Sequence, residues 1–243
     1  MLITYEKDLI RTRQVPRSMK KLIIGAGRIA SHFEHYLHSL GQTPLRWDRK
    51  QNIAELPNLL SQASHVYLAI SDRAIAEFIQ LHLLSFNGVI VHFSGALTHP
   101  KARSAHPMMS FGPELYEPSF YKQIYFAIEP GTIFSELLPG LPNSFFYIPP
   151  EQKPFYHSLC VASGNLPQIL WSLVHQETQK LHIPDSALHA YIGRIAQNWI
   201  QYHDAALTGP LVRKDWGTVN SNLTSLENSK IKNIYQEFVR TMQ

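Results

Sequence analysis

The sequence predicts an α/β protein, with an N-terminal doubly wound parallel sheet followed by an all-helical C-terminal region. Three observations predict it. Short apolar runs alternate with helical patterns from Lys20 to Ile148. A glycine-marked turn joins the first run to the first helix. Beyond Pro149-Pro150 the apolar spacing is helical throughout, and no convincing strand remains.

The first strand is Leu22 to Ile24, and it runs into Gly25-x-Gly27-x-x-Ala30. Ile29, Phe33, Tyr36, Leu37 and Leu40 then recur at helical spacing, and Gly41 closes the helix. Leu45 to Trp47 is the second strand, ending in Asp48, Arg49 and Lys50. Leu56 to Gln62 reads as a short helix entered through Pro57. The unbroken apolar run Val66 to Ile70 is a buried strand, and Ser71-Asp72 caps a helix over Ala74 to Leu84. Gly88 to Phe93 is the fourth strand, broken by Ser94-Gly95. Further strands are expected before His106-Pro107, over Ile124 to Ile128 and over Phe145 to Ile148. Helices are expected over Phe155 to Ser163, Leu166 to Leu181, Ser186 to Leu207, Thr218 to Leu226 and Ile231 to Met242. The resulting division is an N-terminal extension over 1–18, a sheet domain over 19–150 and a helical domain over 151–243.

With 44% hydrophobic residues in 243, the chain has material for a full core. Basic residues exceed acidic ones by 22 − 18 = 4, and they are dispersed except for Arg11, Arg13, Arg17, Lys20 and Lys21. That cluster reads as a solvated terminus. No nucleic-acid motif accompanies the charge, and an anionic cofactor accounts for the excess equally well. Cys160 is the only cysteine, so no intrachain disulfide forms, which suits a reducing cytoplasm. No secretory signal or membrane span is legible. His32, His35 and His38 drift around their helix at a spacing of three, which is a poor metal pattern, and no metal is expected.

The turn Gly25, Ala26, Gly27, Arg28, Ile29 and Ala30 is where chemistry is first expected. A glycine first permits the tight turn, a glycine second admits a pyrophosphate, and a small third residue keeps helix and strand close. The helix start then offers unpaired N–H groups to phosphates. Asp48 lies where an acid receives the adenine ribose hydroxyls of NAD, whereas Arg49 and Lys50 suit the 2′-phosphate of NADP. The balance favours NADP, with NAD remaining open.

Six segments carry a family resemblance. They are GAGRIA at 25–30, AISDRAI at 69–75, VHFSGAL at 91–97, AHPMMSFGPE at 105–114, SGN at 163–165 and LTGPLVRKDWGTV at 207–219. In order and spacing the chain resembles a bacterial family of Rossmann-like proteins with a C-terminal domain of unknown function. That family lies within the two-domain superfamily of prephenate dehydrogenase, pyrroline-5-carboxylate reductase, ketopantoate reductase and 6-phosphogluconate dehydrogenase. The resemblance implies an NAD(P)-binding Rossmann domain, and a helical domain that supplies a substrate pocket and a homodimer interface. It implies that Ile70, Ser71 and Asp72 lie on the nicotinamide side. Ser94 and Gly95 reach the nicotinamide ribose, or they simply cap the strand end. Relatives carry Arg-Gly-Asp where this chain has Arg213-Lys214-Asp215.

His106-Pro107 is similar to the His-Pro motif of prephenate dehydrogenases, where the histidine bonds the hydroxyl that loses a proton. An imidazole with a pKa near 7 suits that transfer, which makes His106 the catalytic candidate. Asn165, Thr208, Arg213 and Asp215 are candidates to close over a substrate, with Arg213 and Asp215 alternatively forming a salt bridge. The expected function is an NAD(P)-dependent oxidoreductase of a small carbonyl, hydroxy acid or imine. The alternative is a non-catalytic NAD(P)-binding sensor or interaction protein.

Overall fold

The computed structural model describes residues 20–243. The expected extension over 1–18 and its basic cluster at Arg11, Arg13 and Arg17 lie outside the described residues. Two compact units are present, one ending at Cys160 and one spanning Val161–Gln243.

The first unit holds a seven-stranded sheet. Its strands are β1 (Lys20–Ile24), β2 (Leu45–Trp47), β3 (Ala63–Leu68), β4 (Val89–His92), β5 (Arg103–Pro107), β6 (Phe126–Ile128) and β7 (Phe145–Tyr147), in the order β2-β1-β3-β4-β5-β6-β7. The helices of this unit are α1 (Arg28–Ser39), α2 (Leu56–Ser61), α3 (Asp72–Phe78), α4 (Pro118–Tyr121), α5 (Phe134–Leu137) and α6 (Lys153–Cys160). Of these, α1, α4 and α5 cover one face of the sheet and α2 and α3 the other, which is the layering of a doubly wound fold.

Strand alternation splits the core into two faces. Ile23, Tyr67, Val91 and Ala105 point to one face and pack with Phe33, Tyr36 and Leu37 of α1 and Tyr121 of α4. Leu22, Ile24, Val66, Leu68 and Ile90 point to the other, against Leu56 of α2 and Ile75 of α3. Burial on both faces is why these strands are unbroken apolar runs in the sequence.

The sheet is parallel from β2 to β5, but β6 runs antiparallel to β5 and β7 follows β6. The expected doubly wound parallel sheet is present, with β5–β6 as its one antiparallel pairing among the described residues. β5 pairs with β4 through Arg103 and Ser104 and with β6 through Ala105, His106 and Pro107. The chain leaving Pro107 therefore returns to it directly, and residues 108–125 stay at the carboxyl end of the parallel strands.

Other boundaries shift. β3 begins at Ala63 and ends at Leu68, two residues short of Ile70. The helix expected over Ala74 to Leu84 is α3 followed by a π-turn over Ile79–Leu83. The second unit contains a π-turn over Val161–Asn165 and helices α7 (Leu166–Lys180), α8 (Asp185–Tyr202), α9 (Trp216–Ser225) and α10 (Ile231–Thr241). The long helix expected to reach Leu207 stops at Tyr202, because His203 takes a left-handed φ of 50° that α-helix cannot continue. No helix of the described residues is long and apolar enough to cross a membrane.

Candidate functional site

The carboxyl ends of β1 to β5 carry the candidate residues, as open α/β sheets require of a ligand site. At the end of β1, Gly25 has a φ of +136°, and a Cβ there would lie 2.2 Å from the Ala69 carbonyl oxygen. Only glycine fits. Ile70 borders the same point. Gly27 precedes α1, and a Cβ built on it would meet nothing within 4 Å. Ala26, Gly27 and Arg28 are exposed, Ile29 is half-buried and Ala30 is fully buried beneath α1. No side chain caps α1, and its first turn holds no acidic residue. The turn therefore offers open space and unpaired N–H donors, which is what a pyrophosphate needs.

Arg46 on β2 holds this turn in place, a role the sequence reading missed. Its guanidinium donates to the Gly25 carbonyl at 3.1 Å, to Ser31 Oγ at 3.3 Å and to the Glu34 carboxylate. A lone cation inside the apolar strand Leu45-Arg46-Trp47 was the available signal. Just beyond, Asp48 Oδ1 accepts the Lys50 backbone N–H at 2.8 Å. Arg49 and Lys50 are exposed, and among the described residues their side chains have no hydrogen bond or ion pair.

Residues 108–125 are tied to α1 through buried His32. Its Nε2–H donates to the Gly112 carbonyl at 3.0 Å, which leaves Nδ1 to accept the Tyr121 hydroxyl at 2.8 Å. The Tyr121 oxygen in turn accepts the Tyr116 N–H, and Arg28 donates to the Phe111 carbonyl at 3.4 Å.

The ends of β3, β4 and β5 form a second, closed cluster. Ser71 and Asp72 are exposed at the start of α3, and Ser71 makes no side-chain cap. Ser94 is buried, and its hydroxyl donates to Asp72 Oδ2 at 2.7 Å while accepting the Leu97 N–H at 3.0 Å. Capping is thus one role of Ser94. Gly95 lies under the His106 ring, where a Cβ would stand 3.1 Å from His106 Nε2.

His106 Nδ1 is 2.8 Å from the Tyr156 hydroxyl of α6. Burial, with help from His157 and Lys153, pulls its imidazole down to about 4. The expected pKa near 7 is therefore corrected: His106 is neutral at neutral pH, because the site strips its solvent and sets cations beside it. Lys153, also on α6, is buried and donates to Ser104 Oγ and, at 3.4 Å, to the Ser94 carbonyl. Burial pulls its ammonium down to about 8, with Glu129 and Asp72 holding it up. His92 on β4 is buried, with neither ring nitrogen bonded among the described residues, and burial together with Lys153, His99 and His106 lowers it to about 3. Sequence reasoning missed Lys153, Tyr156 and His92. The only signal was a lysine three residues before a tyrosine on one helical face.

In the second unit Asn165, Thr208 and Arg213 are exposed. Asp215 caps α9 instead of pairing with Arg213, its Oδ1 accepting the Thr218 N–H at 3.1 Å and its Oδ2 the Thr218 hydroxyl at 2.7 Å. These bonds, with the nearby Arg213 charge, lower its pKa. Lys214 has a φ of 56°, so the lysine keeps the left-handed backbone that a glycine favours in Arg-Gly-Asp.

Fold and chain order together define a Rossmann-like sheet unit followed in the chain by a helical unit. Residues 129–242 match the model of a domain of unknown function (DUF2520). No curated protein matches the sequence. Among solved structures, the chain is similar to a Bacteroides fragilis protein whose suggested class is NADP oxidoreductase, at 18% identity and a TM-score of 0.75, over 93% of this chain and 98% of that one. It is similar to protein TM1727 of Thermotoga maritima at 25% identity and a TM-score of 0.63, over 91% and 96%. A reductive aminase of Aspergillus terreus, solved with NADPH and ethyl levulinate, shares 15% identity and a TM-score of 0.59, over 92% and 94%.

Proposed function

We propose that this protein is an NADP-dependent oxidoreductase that moves hydride between the nicotinamide and a small carbonyl, hydroxy acid or imine substrate. The observation that carries the reading is the open, uncapped start of α1 together with two exposed cations at the end of β2 that have no partner among the described residues. The pyrophosphate takes the N–H groups after Gly27, and Arg49 and Lys50 take the 2′-phosphate. Asp48 spends one carboxylate oxygen on its own turn, which weakens the case for NAD. The NADPH bound in the Aspergillus terreus structures supports the same choice.

When bound, the reduced nicotinamide supplies the hydride. Ile70, Ser71, Asp72, Ser94 and Gly95 line its end of the crevice, and His106 serves the substrate oxygen or nitrogen. We assign nucleotide binding to residues 19–150, and substrate selection and dimerisation to 151–243, with Asn165, Thr208 and Arg213 as substrate contacts and Asp215 holding the Arg213 turn.

The homodimer is supported by α8. Of its residues only Leu188 is buried, while Tyr191, Ile195, Trp199 and Tyr202 stand exposed along one stripe. A helix so apolar and so uncovered calls for a partner, and a second copy supplies one. Light scattering on the purified chain is expected to give a dimer, with Trp199→Glu giving a monomer.

The test of the reading is His106→Ala. Turnover of any accepted substrate is expected to fall about 10²-fold or more, with NADPH affinity retained. Unchanged turnover removes His106 from the mechanism.

A further inference from the structure

We infer that the Arg28 side chain is a ligand of the dinucleotide pyrophosphate, and that buried His32 is the positioning residue that holds it at the mouth of α1 by way of residues 110–116. This rests on the oxidoreductase reading, which uses only backbone N–H groups at that turn, and it adds a side chain to the same phosphate site.

Two arginines stand at the turn, and they are employed differently. Arg46 is spent, because its guanidinium serves the Gly25 carbonyl, Ser31 Oγ and the Glu34 carboxylate. Arg28 is the first residue of α1 and is exposed. A guanidinium carries five N–H donors, and the one hydrogen bond of this side chain among the described residues is the 3.4 Å contact to the Phe111 carbonyl. It has no ion pair among those residues. The first turn of α1 holds no acidic residue, and Glu34 one turn on is already taken by Arg46. A guanidinium left with one neutral partner, at the helix end that favours anions, suits the planar, two-pronged capture of a phosphate.

Its place is set by the chain that follows His106-Pro107. His32 lies one turn beyond Arg28 on α1 and is buried. Its Nε2–H donates to the carbonyl of Gly112, the residue after Phe111, at 3.0 Å. The Tyr116 hydroxyl closes the loop, accepting the Gly112 N–H at 2.6 Å and donating to the Ser110 carbonyl at 3.1 Å. The His32 ring centroid lies 4.8 Å from that of Phe111 and 4.7 Å from that of Tyr116. The carbonyl that meets Arg28 is thus bracketed by two residues, Ser110 and Gly112, that are themselves tied down. A donor fixed before the ligand arrives loses little freedom on binding it. Ser110 to Glu114, the second half of the AHPMMSFGPE segment, thereby acts at the cofactor end.

The experiment uses the full-length protein and three probes. They are NADPH, NADH and 2′-AMP, which carries the 2′-phosphate but no pyrophosphate and is read by competition with NADPH. Arg28→Ala is expected to weaken NADPH and NADH by the same factor, about tenfold, and to leave 2′-AMP unchanged. His32→Phe keeps a ring but loses both hydrogen bonds, and it should weaken both dinucleotides about threefold. Because His32 acts through Arg28, the double variant should bind no more weakly than Arg28→Ala alone. If His32→Phe does not fold, Tyr121→Phe, which removes the hydroxyl bonded to His32 Nδ1, carries the same expectation. Unchanged dinucleotide affinity in Arg28→Ala, a loss confined to NADPH, or an equal loss for 2′-AMP overturns the ligand assignment. Losses that add in the double variant overturn the positioning role of His32. Wild-type protein that binds neither NADPH nor NADH sinks the oxidoreductase reading instead.

Discussion

The two ends of the crevice are built on opposite plans. At the β1–α1 turn and the end of β2, polar groups are left unpaired among the described residues: uncapped N–H donors, an open space at Gly27, and the exposed cations Arg49 and Lys50. At the ends of β4 and β5, polar groups are tied to one another: Ser94 to Asp72, Lys153 to Ser104, and His106 to Tyr156. An anion is captured by offering donors that water alone satisfies. A reacting atom is served by groups whose geometry is already fixed. Substitutions at the first end should therefore act on affinity, and those at the second on turnover or pH dependence.

The largest effect is expected at the open end. Gly25→Val sets side-chain atoms against the Ala69 carbonyl at a backbone angle valine does not adopt, and it should leave little folded protein, as circular dichroism and soluble yield would report. Replacing both Arg49 and Lys50 with alanine should weaken NADPH binding about 10- to 100-fold while leaving NADH binding unchanged, as fluorescence titration would show. Equal loss for both nucleotides would mean that the pair does not meet the 2′-phosphate.

At the closed end the effect is one of pH. His92 and His106 are held at about 3 and about 4, below the ~6.5 of an unfolded histidine. The unfolded chain therefore binds these protons first. The stability at stake is fully present above about pH 6.5 and is lost as pH falls toward 4. His92→Leu removes one unbonded buried imidazole, so thermal melts of this variant should show a shallower decline between pH 6.5 and 4. A decline as steep as the wild type's would place the acid sensitivity elsewhere. The smallest effect is expected in the second unit, where Asp215→Ala should cost about 1 kcal/mol by uncapping α9, read as a modest drop in melting temperature.

Much of this was legible in the sequence, for physical reasons. Strands buried on both faces must be apolar runs, so β1, β3 and β4 stand out, and the Gly25-x-Gly27-x-x-Ala30 turn marks itself because no other residue tolerates Gly25's geometry. The reversal at β6 was not legible, since three apolar residues carry no direction. Lys153 and Tyr156 were hidden for another reason. Helical spacing shows which residues share a face, but not that the face meets the ends of β4 and β5 from 49 and 50 positions away. The lowered pKa of His106 depends on that same packing. Lys214 shows the converse, a left-handed residue whose identity conceals it.

The most direct measurement is a titration of the purified protein with NADPH and with NADH, following nucleotide emission. Trp47, buried beneath the end of β2 one residue before Asp48, gives an independent signal through its quenching. Micromolar binding of NADPH with clearly weaker binding of NADH is the predicted result. Binding of neither nucleotide, with NADP⁺ and NAD⁺ also failing to compete, would contradict the account, leaving the glycine turn as scaffold alone.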